Sequence, residues 1–127
     1  MPTGAPLWEA VAPRWWHHRE GARYGGRMGW ADGHIARLTT GETVQFRPRG
    51  NSMVGKISSG DLCTVEPLGE AVLATGDIVL CRVNGNQYLH LVKAIQGERL
   101  QIGNNRGGLN GWVTRRQIFG RLISVAP

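Results

Sequence analysis

Cysteine is scarce in this chain: 127 residues contain only Cys63 and Cys81. Both sit inside apolar, strand-like runs, which suits reduced core thiols better than a disulfide framework. No Cys-x-x-Cys or comparable ligand spacing is present, so neither a structural zinc nor any other cofactor is implied. Long apolar runs are missing as well, and none nears the roughly 20 residues needed to span a bilayer. The N-terminus lacks the layout of a secretory signal, because Trp8 to Arg27 alternates aromatic, basic and glycine residues. The expectation is a cytoplasmic protein with no membrane partner. No helix-turn-helix pattern, aromatic RNA-binding signature or internal repeat is evident.

What is present points to a β domain. Charged residues are sparse, while glycines number 19 and prolines six, a mix that suits tight turns rather than a helical bundle. The length fits one domain with a real core and no second one. The net charge is +6, and 13 of the 15 basic residues are arginine. Beyond Glu98 there are five arginines (Arg99, Arg106, Arg115, Arg116, Arg121) and no acid. Guanidinium forks suit phosphate contacts, so nucleic acid is one reading of this charge. Plain solubility or an acidic protein partner is the other.

The chain has two textures. Residues 1–42 form an irregular, partly helical arm that holds four of the five tryptophans. Leu7 to Val11 can form a helical turn stopped by Pro13, and Asp32 can cap a short helix through Leu38, ended at Thr39-Thr-Gly41. Trp15-Trp-His-His18 lacks further ligands at coordinating spacing and reads as docked rings with solvated histidines. Residues 43–127 alternate short apolar runs with turn residues. The pattern predicts strands over Thr43–Arg47, Leu62–Glu66, Ile78–Val83, Gln87–Ile95, Leu100–Ile102, Trp112–Thr114 and Ile118–Val125. Asn84-Gly85-Asn86 is a hairpin signal, Gly60-Asp61 and Gly76-Asp77 each open a strand, and residues 103–108 form a loop. Short strands with tight turns predict a mainly β, antiparallel and partly closed sheet.

Two residues carry the candidate chemistry. Ser52 lies in a turn, Gly50-Asn-Ser-Met53, and a serine hydroxyl needs a base before it can attack. Lys93 shares one strand face with Leu89, Leu91 and Ile95. An ammonium among apolar neighbours is poorly solvated, which favours the neutral amine that can act as that base. The same lysine read by its strand alone is an edge residue reaching to water. His90 falls on the opposite face and reads as a surface or edge residue. Asn51 suits either a substrate carbonyl or a local turn bond. Arg47 and Arg49 stand near Ser52, able to receive an acidic substrate or a phosphate, or to serve as solvated surface charge.

These parts occur in a particular order: Gly50-Asn-Ser-Met53, Gly60-Asp61, Gly76-Asp-Ile-Val-Leu80, His90-Leu-Val-Lys-Ala-Ile95, Ile102-Gly-Asn-Asn105, Trp112 and Ile118-Phe-Gly-Arg121. The set, covering about residues 43–125, resembles the serine peptidase family of LexA-like and phage-repressor autoproteases and type I signal peptidases. The resemblance implies the family's compact antiparallel β fold. It also implies Ser52 as nucleophile, Lys93 as general base, the Ser52 amide in the oxyanion hole, Met53 packed beneath the site, and structural roles for the two Gly-Asp turns. Val54-Gly55 is closer to the repressor-like branch. The chain lacks that branch's helix-turn-helix and scissile linker pair, and it lacks a signal peptidase's membrane anchor. Ala10-Val-Ala12 mimics a small-x-small processing site, but Pro13 blocks it.

The functional expectation is a stand-alone Ser–Lys peptidase that hydrolyses a peptide bond in a protein or peptide partner. The alternative is a non-catalytic regulatory or docking module on the same fold, binding nucleic acid through its arginines.

Overall fold

The computed structural model describes residues 29–127. The Leu7–Val11 turn, the Ala10-Val-Ala12 tripeptide and the Trp15-Trp-His-His18 cluster lie outside the described residues. Among the described residues one α-helix, α1 (Asp32–Thr39), precedes seven strands: β1 (Val44–Phe46), β2 (Leu62–Pro67), β3 (Ile78–Val83), β4 (Asn86–Gln96), β5 (Arg99–Gly103), β6 (Leu109–Thr114) and β7 (Ile118–Ala126). Every predicted strand is present, with ends displaced by no more than a few residues. The strands form one antiparallel sheet in the order β1-β2-β7-β3-β4-β5-β6, which leaves β1 and β6 as edges and the sheet unclosed. Among the described residues no helix is long and apolar enough to cross a membrane.

Alternation along β3 and β4 divides the core in two. Leu80, Leu89 and Leu91 join a cluster with Met53, Val65 and Leu38. Val79, Cys81, Val83 and Val92 turn to a second cluster with Ile102, Val113 and Ile118. Val79 and Leu80 are adjacent and both fully buried; removing each such side chain from water contributes about 1.5–3 kcal/mol. Cys63 and Cys81 are buried free thiols, and burial pushes the Cys81 thiol up to about 12.

Local chemistry sets the frame around the site. Asn84 and Gly85 adopt φ of 51° and 84°, the left-handed pair that a two-residue hairpin requires, so Val83 stands opposite Asn86. The two Gly-Asp turns share one device. Asp61 accepts the Ser58 N–H at 2.8 Å and Asp77 accepts the Ala74 N–H at 2.9 Å, each carboxylate closing its own turn.

Asp32 is the first residue of α1 rather than its cap, a place taken by Ala31. Its carboxylate is engaged elsewhere, accepting from the Gly29 N–H at 2.9 Å and from Gln87 Nε2 at 2.6 Å. Gln87 returns the tie by accepting the Ala31 N–H at 2.8 Å through its side-chain oxygen. The start of α1 is thereby fastened to the start of β4, and Ala31 and Leu38 enter the core.

Candidate active site

Ser52 stands in a turn held from two sides. On one side Gly60 N–H donates to the Pro48 carbonyl at 2.8 Å, and Gly50 N–H donates to Ser59 Oγ at 3.1 Å. On the other, Asn105 donates its backbone N–H to the Ser52 carbonyl at 2.9 Å and its side-chain amide to the Val54 carbonyl at 2.8 Å. Gly55 makes room for that amide. It has a φ of 97°, and a Cβ there would come 3.1 Å from Asn105 Nδ2. Met53 is buried beneath the turn in the first core cluster. Asn51 is exposed, and its carbonyl accepts the Val54 N–H at 3.3 Å. Among the described residues no protein acceptor engages the Ser52 N–H, so that donor is available to a developing oxyanion.

The hydroxyl of Ser52 meets His90. Ser52 Oγ lies 3.1 Å from His90 Nε2, and His90 Nδ1 lies 2.7 Å from Asn110 Oδ1. An amide oxygen can only accept, so Nδ1 carries the proton and Nε2 presents its lone pair to the serine O–H. The reading of His90 as a surface or edge residue is corrected here, because His90 is only 7% exposed. Strand periodicity tells which residues share a face, but not which face the Ser52 turn meets. Tyr88, two residues earlier, stacks on the imidazole with ring centroids 4.8 Å apart. Burial lowers the His90 pKa, and the Asn110 hydrogen bond opposes that effect in part. The imidazole is therefore neutral at pH 7, the form a general base needs.

Lys93 has a different partner. Its Nζ donates to the Asn104 carbonyl at 3.1 Å, and the structure does not bring it into a hydrogen bond with Ser52. The cause lies in the ladder between β4 and β5. Val92 pairs with Ile102 and Ala94 with Gln101, which leaves Lys93 as the extra residue of a β-bulge. The bulge interrupts the alternation on which the expected face of Lys93 rested. The amine instead secures the residue next to Asn105, which in turn holds the Ser52 turn.

No sequence pattern marks Asn110, and a second bulge explains why. Ile102 pairs with Gly111 and Gly103 with Leu109, so Asn110 has no partner residue on β5. A bulge aims a side chain that simple alternation would send elsewhere. The sequence signal for His90 was stronger: a histidine in the middle of an apolar strand needs polar partners if it is buried.

A cleft of about 470 Å³ opens on Ser52 and His90 and is also lined by Trp30, His34 and Phe46, with Arg47 and Arg49. The arrangement can deprotonate a serine hydroxyl toward a neutral imidazole whose tautomer is fixed by an amide. No protein-family model matches this sequence, and no curated protein does either.

Proposed function

We propose that this protein is a serine hydrolase acting on peptide bonds, with Ser52 as nucleophile and His90 as general base. The observation that carries the reading is the continuous hydrogen-bonded series Ser52–His90–Asn110 at a cleft. Ser52 Oγ attacks the substrate carbonyl while His90 Nε2 takes its proton. The imidazolium then returns that proton to the leaving amine, and an acyl-serine remains. Water, deprotonated by the same nitrogen, attacks the acyl-serine; the imidazolium returns that proton to Ser52 Oγ as the acyl–oxygen bond breaks, and the acid is released. Asn110 holds the tautomer throughout, and the Ser52 N–H faces the oxyanion. In this reading Lys93 positions the nucleophile turn through the 104–105 loop, a role different from the base expected from the family resemblance.

A peptide is the substrate class that the surrounding backbone favours. The Val92 N–H and C=O are taken by Asp77 and Gly76 on the β3 side, whereas the Gln87 C=O accepts the Trp30 indole N–H at 3.0 Å. Backbone groups alternate sides along a strand, so Leu89 turns its N–H and C=O to the same side as Gln87. Pairing with β5 begins only at Leu91. An extended peptide carries the donors and acceptors to match such an edge. The buried unpaired thiols suit a reducing compartment, and we place the protein in the cytoplasm.

Docking of nucleic acid through the C-terminal arginines draws less support. Arg121 is paired with Glu66 at 2.9 Å, Arg115 donates to the Gly69 carbonyl at 2.9 Å, and Arg99 lies over the Trp112 ring. The test is labelling of the full chain by a fluorophosphonate, followed by cleavage of a peptide library. Label on Ser52 that disappears in His90→Ala supports the reading. Cleavage that survives both Ser52→Ala and His90→Ala rules it out.

A further inference from the structure

The cleft beside Ser52 has a wall that the hydrolytic machinery does not use. Trp30 is 51% exposed, a large apolar surface to leave in water. It is nevertheless held in place. Its indole N–H is spent on the Gln87 carbonyl, and its ring meets Phe46 edge-on with centroids 5.6 Å apart. His34 completes the group, its ring stacked on Phe46 with centroids 4.4 Å apart and set edge-on to Trp30 at 6.4 Å. Desolvation, with Arg37 nearby, lowers the His34 pKa, so this wall is aromatic and uncharged at pH 7. Fixed aromatic faces bind apolar groups without first paying to become ordered.

Among the described residues, the formal charge in the cleft lining is all of one sign: Arg47 and Arg49 line it, and no acidic residue does. Arg47 is anchored by a bond from Nη1 to the Gly60 carbonyl at 2.8 Å. Among the described residues neither arginine forms a salt bridge. Arg47 follows Phe46 directly and Arg49 stands three residues beyond it, and three residues span at most about 10 Å. The aromatic wall and the guanidinium groups are thus within reach of one short ligand.

Taking Ser52 as the nucleophile proposed above, we infer that the cleft selects a peptide bearing a bulky apolar side chain and, two or three residues away, a carboxylate. The apolar side chain sits against Trp30 and Phe46, and the carboxylate meets Arg49 with Arg47 beside it. Charge complementarity chooses the acidic peptide over a neutral or basic one, since a lysine there would face two guanidinium groups.

Binding can be read apart from catalysis in the full-length Ser52→Ala protein. Fluorescently labelled octapeptides carrying Phe and Glu at spacings of one to four residues are compared with Phe-to-Ala and Glu-to-Lys versions by anisotropy. Each control should bind about tenfold or more weakly. Trp30→Ala should erase the Phe preference and leave the Glu preference, while Trp30→Phe keeps both. Arg49→Glu should favour the Lys peptide, and the milder Arg49→Gln should flatten the charge preference. Equal binding of all peptides, or preferences untouched by these variants, overturns the inference. If wild-type Ser52 takes up fluorophosphonate while Ser52→Ala binds indiscriminately, the inference fails and the hydrolase reading stands. Selective binding by a protein whose wild type neither labels nor cleaves supports the inference and removes the hydrolase reading.

Discussion

His90 and Lys93 stand three residues apart on β4, and both are bonded to parts of the Ser52 neighbourhood, but in opposite senses. The histidine accepts: its Nε2 faces the serine hydroxyl, and its other nitrogen is occupied by Asn110. The lysine donates, giving a hydrogen bond to the Asn104 carbonyl. A base must offer a lone pair to the proton it removes. Burial drives the imidazole toward the neutral form that has one. The carbonyl beside Lys93 rewards an N–H donor. In the proposed mechanism two basic residues on one strand thus divide the work, one toward proton transfer and the other toward holding the turn.

The largest effect that can break this comparison is loss of the acceptor. His90→Ala should lower the rate of peptide cleavage at least about a thousandfold, close to the effect of Ser52→Ala, because residues acting as a unit give similar losses when removed singly. Lys93→Met, which keeps the apolar stem, should cost no more than about a hundredfold through misplacement of the turn. Steady-state kinetics of the three variants settle the division, and a reversed order would make Lys93 the base.

The pH dependence sharpens the same contrast. His90 has a folded pKa below its ordinary value of 6.5, so the unfolded chain binds more protons as pH falls past that point. Stability is therefore fully present above about 6.5, and declines as pH drops toward the lowered folded value; His34 adds in the same direction. Cleavage should fade on the acid side over that lower range, as His90 becomes protonated. Asn110→Asp places a carboxylate against the imidazole and should move the acid limb of kcat/KM upward by about one unit, read from rate–pH profiles.

Smaller effects test the brace. Gly55→Ala forces a non-glycine residue into a left-handed φ of 97° and crowds Asn105 Nδ2. It should destabilise the protein by about 1–3 kcal/mol, measured by denaturant unfolding. Asn105→Ala removes only the bond to the Val54 carbonyl and should cost about 1 kcal/mol, with its backbone bond to Ser52 retained.

Much of the fold is legible in the sequence. Strand ends followed apolar runs and their glycine breakers, since turns and alternation are local properties of a few neighbouring residues. The Asn84-Gly85 hairpin is of this kind, and it sets the register that pairs Tyr88 with Cys81 and His90 with Val79. Ser52 is also legible as a turn serine, and the burial of Met53 beside it is what the family resemblance implies. The partner of that serine is not legible. Lys93 and Asn110 each occupy a bulge, and an inserted residue changes where side chains point without leaving a mark in hydrophobic periodicity.

The chain's own order of residues thus determines the seven strands, the tight turns between them and the turn that carries Ser52. Which basic side chain that serine would meet depended on how the edge of β4 beyond β5 received the Ser52 turn. That contact joins residues 38 positions apart. It arises from sheet order and the packing of Met53, while the bulges at Lys93 and Asn110 aim the side chains around it, and no local pattern encodes either.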